Sequence, residues 1–273
     1  MNDVRGLFWA IAMRHHTAFL LGSIHCMRED MYPLPPSMEQ AFSRSSTIAF
    51  EADREETRTP AFKLYVQACG TYPPGETLWK NISSSTQHQL RKTLSRLQFP
   101  VHVAETIRPW LLSTMLREPP QDGDDATLHH ALGLDTYFFN KAQQEQKRVM
   151  FLESATAQVD CLATLPARQQ EFLLQDALQE KPVEGEIPRD DVLELWNAGE
   201  ADALEAQYRQ HHTDQMAIYE QIVIHRNHRW IPIIEDLLQL GENVMIVVGG
   251  GHVGGPDGLV RLLADKGYHL VQK

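Results

Sequence analysis

Two stretches of identical spacing, Gly22-Ser-Ile-His25 near the start of the chain and Gly249-Gly-Gly-His252 near its end, each follow an apolar run of the kind that fills buried strands. Two further runs of that kind, Thr47-Ile-Ala-Phe50 and Arg148-Val-Met-Phe-Leu152, end on carboxylates, Glu51 and Glu153. In an open α/β sheet, ligands bind beyond the carboxyl ends of the strands, so this pattern would deliver two imidazoles and two carboxylates to one crevice. The glycine opening each motif, Gly22 or Gly249, lets the backbone turn sharply and leaves space beside the histidine. Such a donor set suits Zn, Mn, Fe or Co, and a site with open positions would bind water and lower its pKa. A carboxylate left outside the coordination sphere would serve as general base on that water. Arg226, protonated at any relevant pH, would steady a developing oxyanion or hold a substrate carboxylate. Each element also has a plainer account. Gly-x-x-His is a common strand-ending turn, the two glutamates can be solvated strand ends, and Arg226 can be a helix-surface ion pair. Only their combination argues for a site.

Other chemistries fare worse. There is no Gly-x-Ser-x-Gly elbow for a serine nucleophile. The 249–255 glycine-rich loop lacks the Gly-Lys-Ser/Thr ending of a phosphate loop, although its backbone amides would suit an anion if a helix begins at Pro256. His225 and His228 lack the glutamate of a His-Glu-x-x-His motif and read as a solvated helix face, and the adjacent pairs His15-His16, His129-His130 and His211-His212 point apart on regular structure. The acidic cluster at 122–125 lacks the spaced ligands of a calcium loop.

The elements that must position these residues follow from the apolar patterning. The stretches 7–13 and 17–24 read as a β-hairpin closed by a polar turn. Ser37 is placed to cap a helix through Phe42, and the 47–50 strand then completes a βαβ unit. Residues 134–142 read as a helix leading to the strand that ends on Glu153. Helical hairpins follow over 163–178 and 191–219, broken near 182–188 and at Gly199. A helix over 222–240 then leads to the 244–248 strand, a helix over 256–266 and a last strand at 268–272. The expectation is one α/β domain over 1–273: a mostly parallel or mixed central sheet with an N-terminal hairpin, a helical cap insertion over 54–132 and helical hairpins over 160–220.

The formal net charge of -11, without a Lys/Arg-rich block, argues against a nucleic-acid partner. No apolar stretch reaches the roughly 20 residues needed to span a bilayer. The N-terminus shows no secretory pattern, and the three scattered cysteines, Cys26, Cys69 and Cys161, form no disulfide framework, so a cytoplasmic location is expected. Cys26, beside His25, reads as a small buried hydrophobe rather than a nucleophile.

Taken together, Phe19-Leu-Leu-Gly22-Ser-Ile-His25, Ile48-Ala-Phe-Glu51, Gly133-Leu-Asp135 with Phe151-Leu-Glu153, Arg226-Asn-x-x-Trp230 and Val247-Val-Gly249-Gly-Gly-His252-Val-Gly-Gly-Pro-Asp-Gly258 followed by Gly267-Tyr resemble the TraB/GumN family, which includes the TIKI-type metalloproteases. The resemblance implies an α/β fold related to the erythromycin-esterase and ChaN-like superfamily. It also implies one divalent-metal site, manganese or cobalt, lined by His25, Glu51, Glu153 and His252 and supported by Arg226, Asn227, Asp135, Gly22 and Gly249. A metal-dependent hydrolase of a peptide or small acyl substrate is the activity implied, with a non-catalytic peptide-, haem- or metal-binding protein as the alternative. Ser23 stands where the family often has threonine, and the 53–132 stretch aligns with nothing in the resemblance, so substrate and oligomeric state do not carry over.

Overall fold

A computed structural model describes residues 5–25, 27–117, 132–179, 189–211 and 215–273. The 122–125 acidic cluster, the His129-His130 pair, Cys26, the 182–188 break and His212 lie outside these residues. The chain divides into two compact units, one formed by 1–53, 124–154 and 185–273, the other by 54–123 and 155–184.

The first unit is built on a six-stranded mixed sheet: β1 (Leu7–Ala12), β2 (Thr17–Ser23), β3 (Thr47–Ala52), β4 (Arg148–Glu153), β5 (Val244–Gly249) and β6 (Leu270–Gln272), in the order β4-β3-β5-β2-β1-β6. The hairpin β1-β2 is antiparallel, as its polar turn predicts, and Met13 N–H donates to His16 O across that turn. β2, β5, β3 and β4 run parallel. β5 lies at the centre because Val244 to Val248 are apolar on both faces and buried on both, the signature of a parallel strand covered on both sides. Around the sheet stand α1 (Pro36–Arg44) and, further along the chain, α6, α9, α10, α11, α12 and α13. Between them in sequence lie α2 (Pro60–Gly70), α3 (Ser84–Arg96), α4 (Val101–Ala104) and α5 (Pro109–Arg117) of the second unit, then α6 itself (Leu134–Gln144), and α7 (Ala155–Ala163) and α8 (Ala167–Ala177), again of the second unit. The first unit resumes with α9 (Arg189–Ala198), α10 (Ala201–His211), α11 (Met216–Tyr219), α12 (His225–Leu238) and α13 (Leu259–Asp265).

Leu20, Leu21, Ile48, Ile246 and Val248 of the sheet share one core with Phe138 of α6 and Trp230 and Ile234 of α12. Each fully buried side chain of this size contributes about 1.5–3 kcal/mol. The second unit has its own core, with Leu90 and Leu94 of α3, Leu112 of α5 and Leu174 of α8.

Three expectations of where helices begin need adjustment. Pro36, not Ser37, begins α1, and no side chain caps it, because the proline already supplies the fixed φ of a first helical residue. The last helix starts at Leu259 rather than Pro256, since residues 254–258 turn tightly and Gly255 takes a positive φ of 80°. The 222–240 helix is preceded by a π turn over Glu220–Ile224, and α12 begins only at His225. The hairpins grouped over 160–220 divide between the units: α8 packs with the 54–123 segment, while α9 and α10 belong to the sheet unit.

Candidate functional site

β2, β3, β4 and β5 all point their carboxyl ends the same way, and the four expected residues lie there. His25 follows β2, Glu51 sits near the end of β3, Glu153 closes β4, and His252 closes a 3-10 turn after β5. β5 lies between β2 and β3, so the strands bearing the two Gly-x-x-His motifs are direct neighbours with Ser23 opposite Gly249.

Arg226 joins three of these residues. It begins the first turn of α12 and is buried, with its guanidinium 4.6 Å from the Trp230 ring centroid, one helical turn on. Nε donates to Glu153 Oε1 (2.9 Å), and Nη2 donates to Glu153 Oε1 and Glu51 Oε2 (both 2.7 Å). Nη1 donates to Ile222 O (3.1 Å) and faces His252 Nε2 (3.1 Å). A guanidinium carries five N–H groups, and these contacts engage all five. The sequence offered Arg226 as an oxyanion or carboxylate holder; here its donors are committed to the protein.

Both Glu153 oxygens accept hydrogen bonds, Oε1 from Arg226 and Oε2 from Trp230 Nε1 (3.2 Å). Glu51 accepts from Gly249 N–H at Oε1 and from Arg226 at Oε2. A Cβ at position 249 would lie 3.0 Å from Glu51 Oε1, so glycine is what lets the carboxylate reach that amide.

His252 is buried and its orientation is fixed by Asn227. The Asn227 Nδ2 group donates to His252 O (3.1 Å) and Asp257 O (2.8 Å), so its Oδ1 must be the atom facing His252 Nδ1 at 2.7 Å. Oδ1 only accepts, so Nδ1 carries the proton and the Nε2 lone pair turns to Arg226. Burial pushes the His252 pKa down, Arg226 and His25 add to the shift against the pull of Glu51, and the imidazole titrates at about 4. Burial alone would raise Glu51, but His252, the Arg226 guanidinium, the Gly249 amide and His25 bring it down to about 2. At neutral pH the pair is therefore a neutral imidazole and an ionised carboxylate, with Nε2 and Oε1 3.9 Å apart.

His25 differs. Its side chain is 67% exposed, and Nδ1 meets Asp135 Oδ2 at 3.3 Å. The Gly133-Leu-Asp135 block makes this possible. Leu134 N–H donates to Ile24 O, and a Cβ on Gly133 would clash with the His25 carbonyl, so α6 begins flush against the histidine segment. Ser23 Oγ is buried without a hydrogen-bond partner among the described residues. His225 and His228 lie exposed on α12, as a solvated face requires.

The donors fit a divalent ion only in part. Ligand bonds of about 2.1 Å span at most about 4.2 Å between two donors, so Glu51 Oε1 and His252 Nε2 are close enough to share an ion. Against that, the Nε2 lone pair is directed at Arg226, and Glu51 and Glu153 each already accept hydrogen bonds at both oxygens. Among the described residues, no three His, Cys, Asp or Glu side chains form a ready ligand group.

A residue whose role the sequence left unspecified is Asn227. Its signal was the Arg226-Asn-x-x-Trp230 spacing itself, which puts guanidinium and indole on one face of α12 and the amide beside them.

These features define an α/β protein with a histidine–carboxylate–arginine cluster at the carboxyl edge of its parallel strands. The TraB/PrgY/gumN family model matches residues 7–272, and the chain belongs to that family. It is 26% identical over 147 residues to the protein named "Uncharacterized protein YbaP" of Escherichia coli (strain K12), covering 54% of this chain and 52% of that one, and matches the protein of that name from Shigella flexneri to the same extent. The chain thus spans about half the length of these curated relatives. No solved structure matches it.

Proposed function

We propose that the chain is a hydrolase of a peptide or small acyl bond, with the strand-end cluster as its reaction centre. One observation carries this reading: a neutral imidazole and an ionised carboxylate, 3.9 Å apart, are fixed by a guanidinium whose N–H groups are all engaged, beside an exposed His25 backed by Asp135. In this reading Asp135 accepts from His25 Nδ1–H and leaves Nε2 as the basic atom. His25 takes a proton from the attacking water and returns it to the leaving group, as a carboxylate-oriented imidazole does. Glu51, titrating at about 2, is too weak a base for that proton near neutral pH, so its task is to hold charge and orientation. Glu153 positions Arg226, and Arg226 with Asn227 positions His252.

The divalent ion, manganese or cobalt before zinc or iron, enters as an addition to these residues. Glu51 Oε1 and His252 Nε2 are the atoms that would hold it, and it would supply Lewis acidity to a carbonyl oxygen or a water. A cytoplasmic location, expected from the three scattered cysteines of the sequence, belongs to the same proposal.

The test pairs elemental analysis of protein loaded with each metal against hydrolysis of peptide and ester panels, for the parent, His25→Ala and His252→Ala. The proposal expects folded variants that have both lost turnover, with any metal lost only from His252→Ala. A folded double variant retaining full turnover would overturn it, and ligand or metal affinity without turnover in the parent would move the chain to a binding role.

A further inference from the structure

The second unit carries a surface that the strand-end chemistry does not use. Every residue from position 95 to 103 except Phe99 is exposed, and the run includes Leu97 (50% exposed), Val101 (42%) and Val103 (39%). These are three of the few large aliphatic side chains that the described residues leave in water, and they fall within seven positions. The segment is ordered by its own backbone. Leu97 N–H donates to Thr93 O, Phe99 N–H to Leu94 O, and Val103 and Ala104 N–H to Pro100 O, while Gln98 turns the chain with a φ of 52°. Phe99, packed on the second core, anchors it. The apolar side chains therefore stand on an ordered turn after α3 and on the short α4 that follows it, and docking them needs no prior ordering.

The sequence beside this turn is basic where the chain as a whole is acidic. Arg91, Lys92 and Arg96 lie exposed on the last turns of α3, and no Asp or Glu occurs between Glu76 and Glu105, in a protein with 36 acidic residues and a net charge of -11. Complementing the helix dipole accounts for basic residues at the end of α3 but not for the aliphatic residues that follow.

We propose that this α3–α4 turn docks the second unit on an anionic lipid surface, with Leu97, Val101 and Val103 entering the boundary between headgroups and acyl chains and Arg91, Lys92 and Arg96 meeting the headgroups. Apolar side chains flanked by cations are what such an interface takes. The acidic remainder of the chain does not forbid it, because a Debye length of about 8–10 Å near physiological salt screens charge beyond the patch. A polynucleotide fits less well, since the exposed apolar side chains are aliphatic and the half-buried Trp79 ring is already covered by the Arg91 guanidinium at 4.1 Å. The attachment lies on the bilayer, and among the described residues no helix is long and apolar enough to cross one. It does not rest on the hydrolase reading.

The full chain is sedimented with phosphatidylcholine vesicles with and without phosphatidylglycerol, at low and high salt. The parent should co-sediment with the anionic vesicles alone and be released by salt. Lys92→Ser/Arg96→Ser should partition about 30-fold more weakly, and Leu97→Asp/Val101→Asp should fall to the level of neutral vesicles, both remaining folded with cooperative thermal melts. Parent protein that binds anionic vesicles no better than neutral ones, or variants of both kinds that bind like the parent, would overturn the proposal. Retention by an acidic peptide or a polynucleotide without vesicle binding would overturn it in favour of that partner.

Discussion

The two Gly-x-x-His motifs end neighbouring strands and look interchangeable in sequence, yet their histidines live in opposite surroundings. His252 is buried, held at Nδ1 by Asn227 and faced at Nε2 by Arg226, and burial keeps it neutral down to about pH 4. His25 is largely in solvent and is oriented by Asp135. A shared motif places an imidazole at a strand end, but the partners brought by other elements decide what it can do. α12 brings the rigid partners of His252, and the start of α6 brings the Asp135 carboxylate to His25. The first arrangement suits holding charge in place, the second moving a proton.

The contrast can be attacked on both sides. Arg226→Met would leave Glu51 and Glu153 buried without their shared cation, and should cost about 3–5 kcal/mol in denaturant titration at neutral pH. A loss below about 1 kcal/mol would mean the guanidinium does not organise the His252 side.

The acid limb of stability should follow His252. Between pH 6.5 and about 4 its unfolded form binds a proton that its folded form refuses, so stability is complete above pH 6.5 and falls as pH drops toward 4. The loss should reach about 3 kcal/mol in chelator-treated protein. Glu51 extends it in the same direction from its ordinary 4.5 down to about 2. Replacing His252 with Gln should flatten the limb above pH 4.5, and an unchanged limb would show that the burial of His252 is not what sets it.

Asn227→Ala removes the acceptor for His252 Nδ1 and the donor to two carbonyls, and should cost about 1–3 kcal/mol. Asn227→Asp, which keeps the acceptor, should hold His252 in the same tautomer while losing the donor to the carbonyls. The smallest effect on stability belongs to His25→Ala, expected within about 0.5 kcal/mol of the parent by thermal melting because the side chain is mostly solvated. A large loss there would erase the distinction between the histidines.

Much of the sheet was legible because strands buried on both faces must be apolar throughout: β5 and β3 announce themselves, and so do the carboxylates that end β3 and β4. The hairpin was legible from its polar turn. The pairing of α8 with the 54–123 segment was not, because each helix shows only that it has an apolar face and never which distant helix will cover it. The π turn before Arg226 has no local signal either, since helical patterning differs too little between four- and five-residue ladders. The gathering of Glu51, Glu153 and His252 around Arg226 depends on β5 inserting between β2 and β3. That order comes from tertiary packing, which the spacing of motifs along the chain does not encode.

The most direct measurement is a nitrogen-15 NMR titration of the imidazoles, with His25→Ala and His252→Ala for assignment. The account predicts that His252 stays a neutral Nδ1–H tautomer from pH 8 to about 5 and protonates only near 4, while the ring-nitrogen signals of His25, and not those of His252, move in Asp135→Asn. A His252 that protonates near 6.5, or carries its proton on Nε2, would contradict the arrangement on which the site is built.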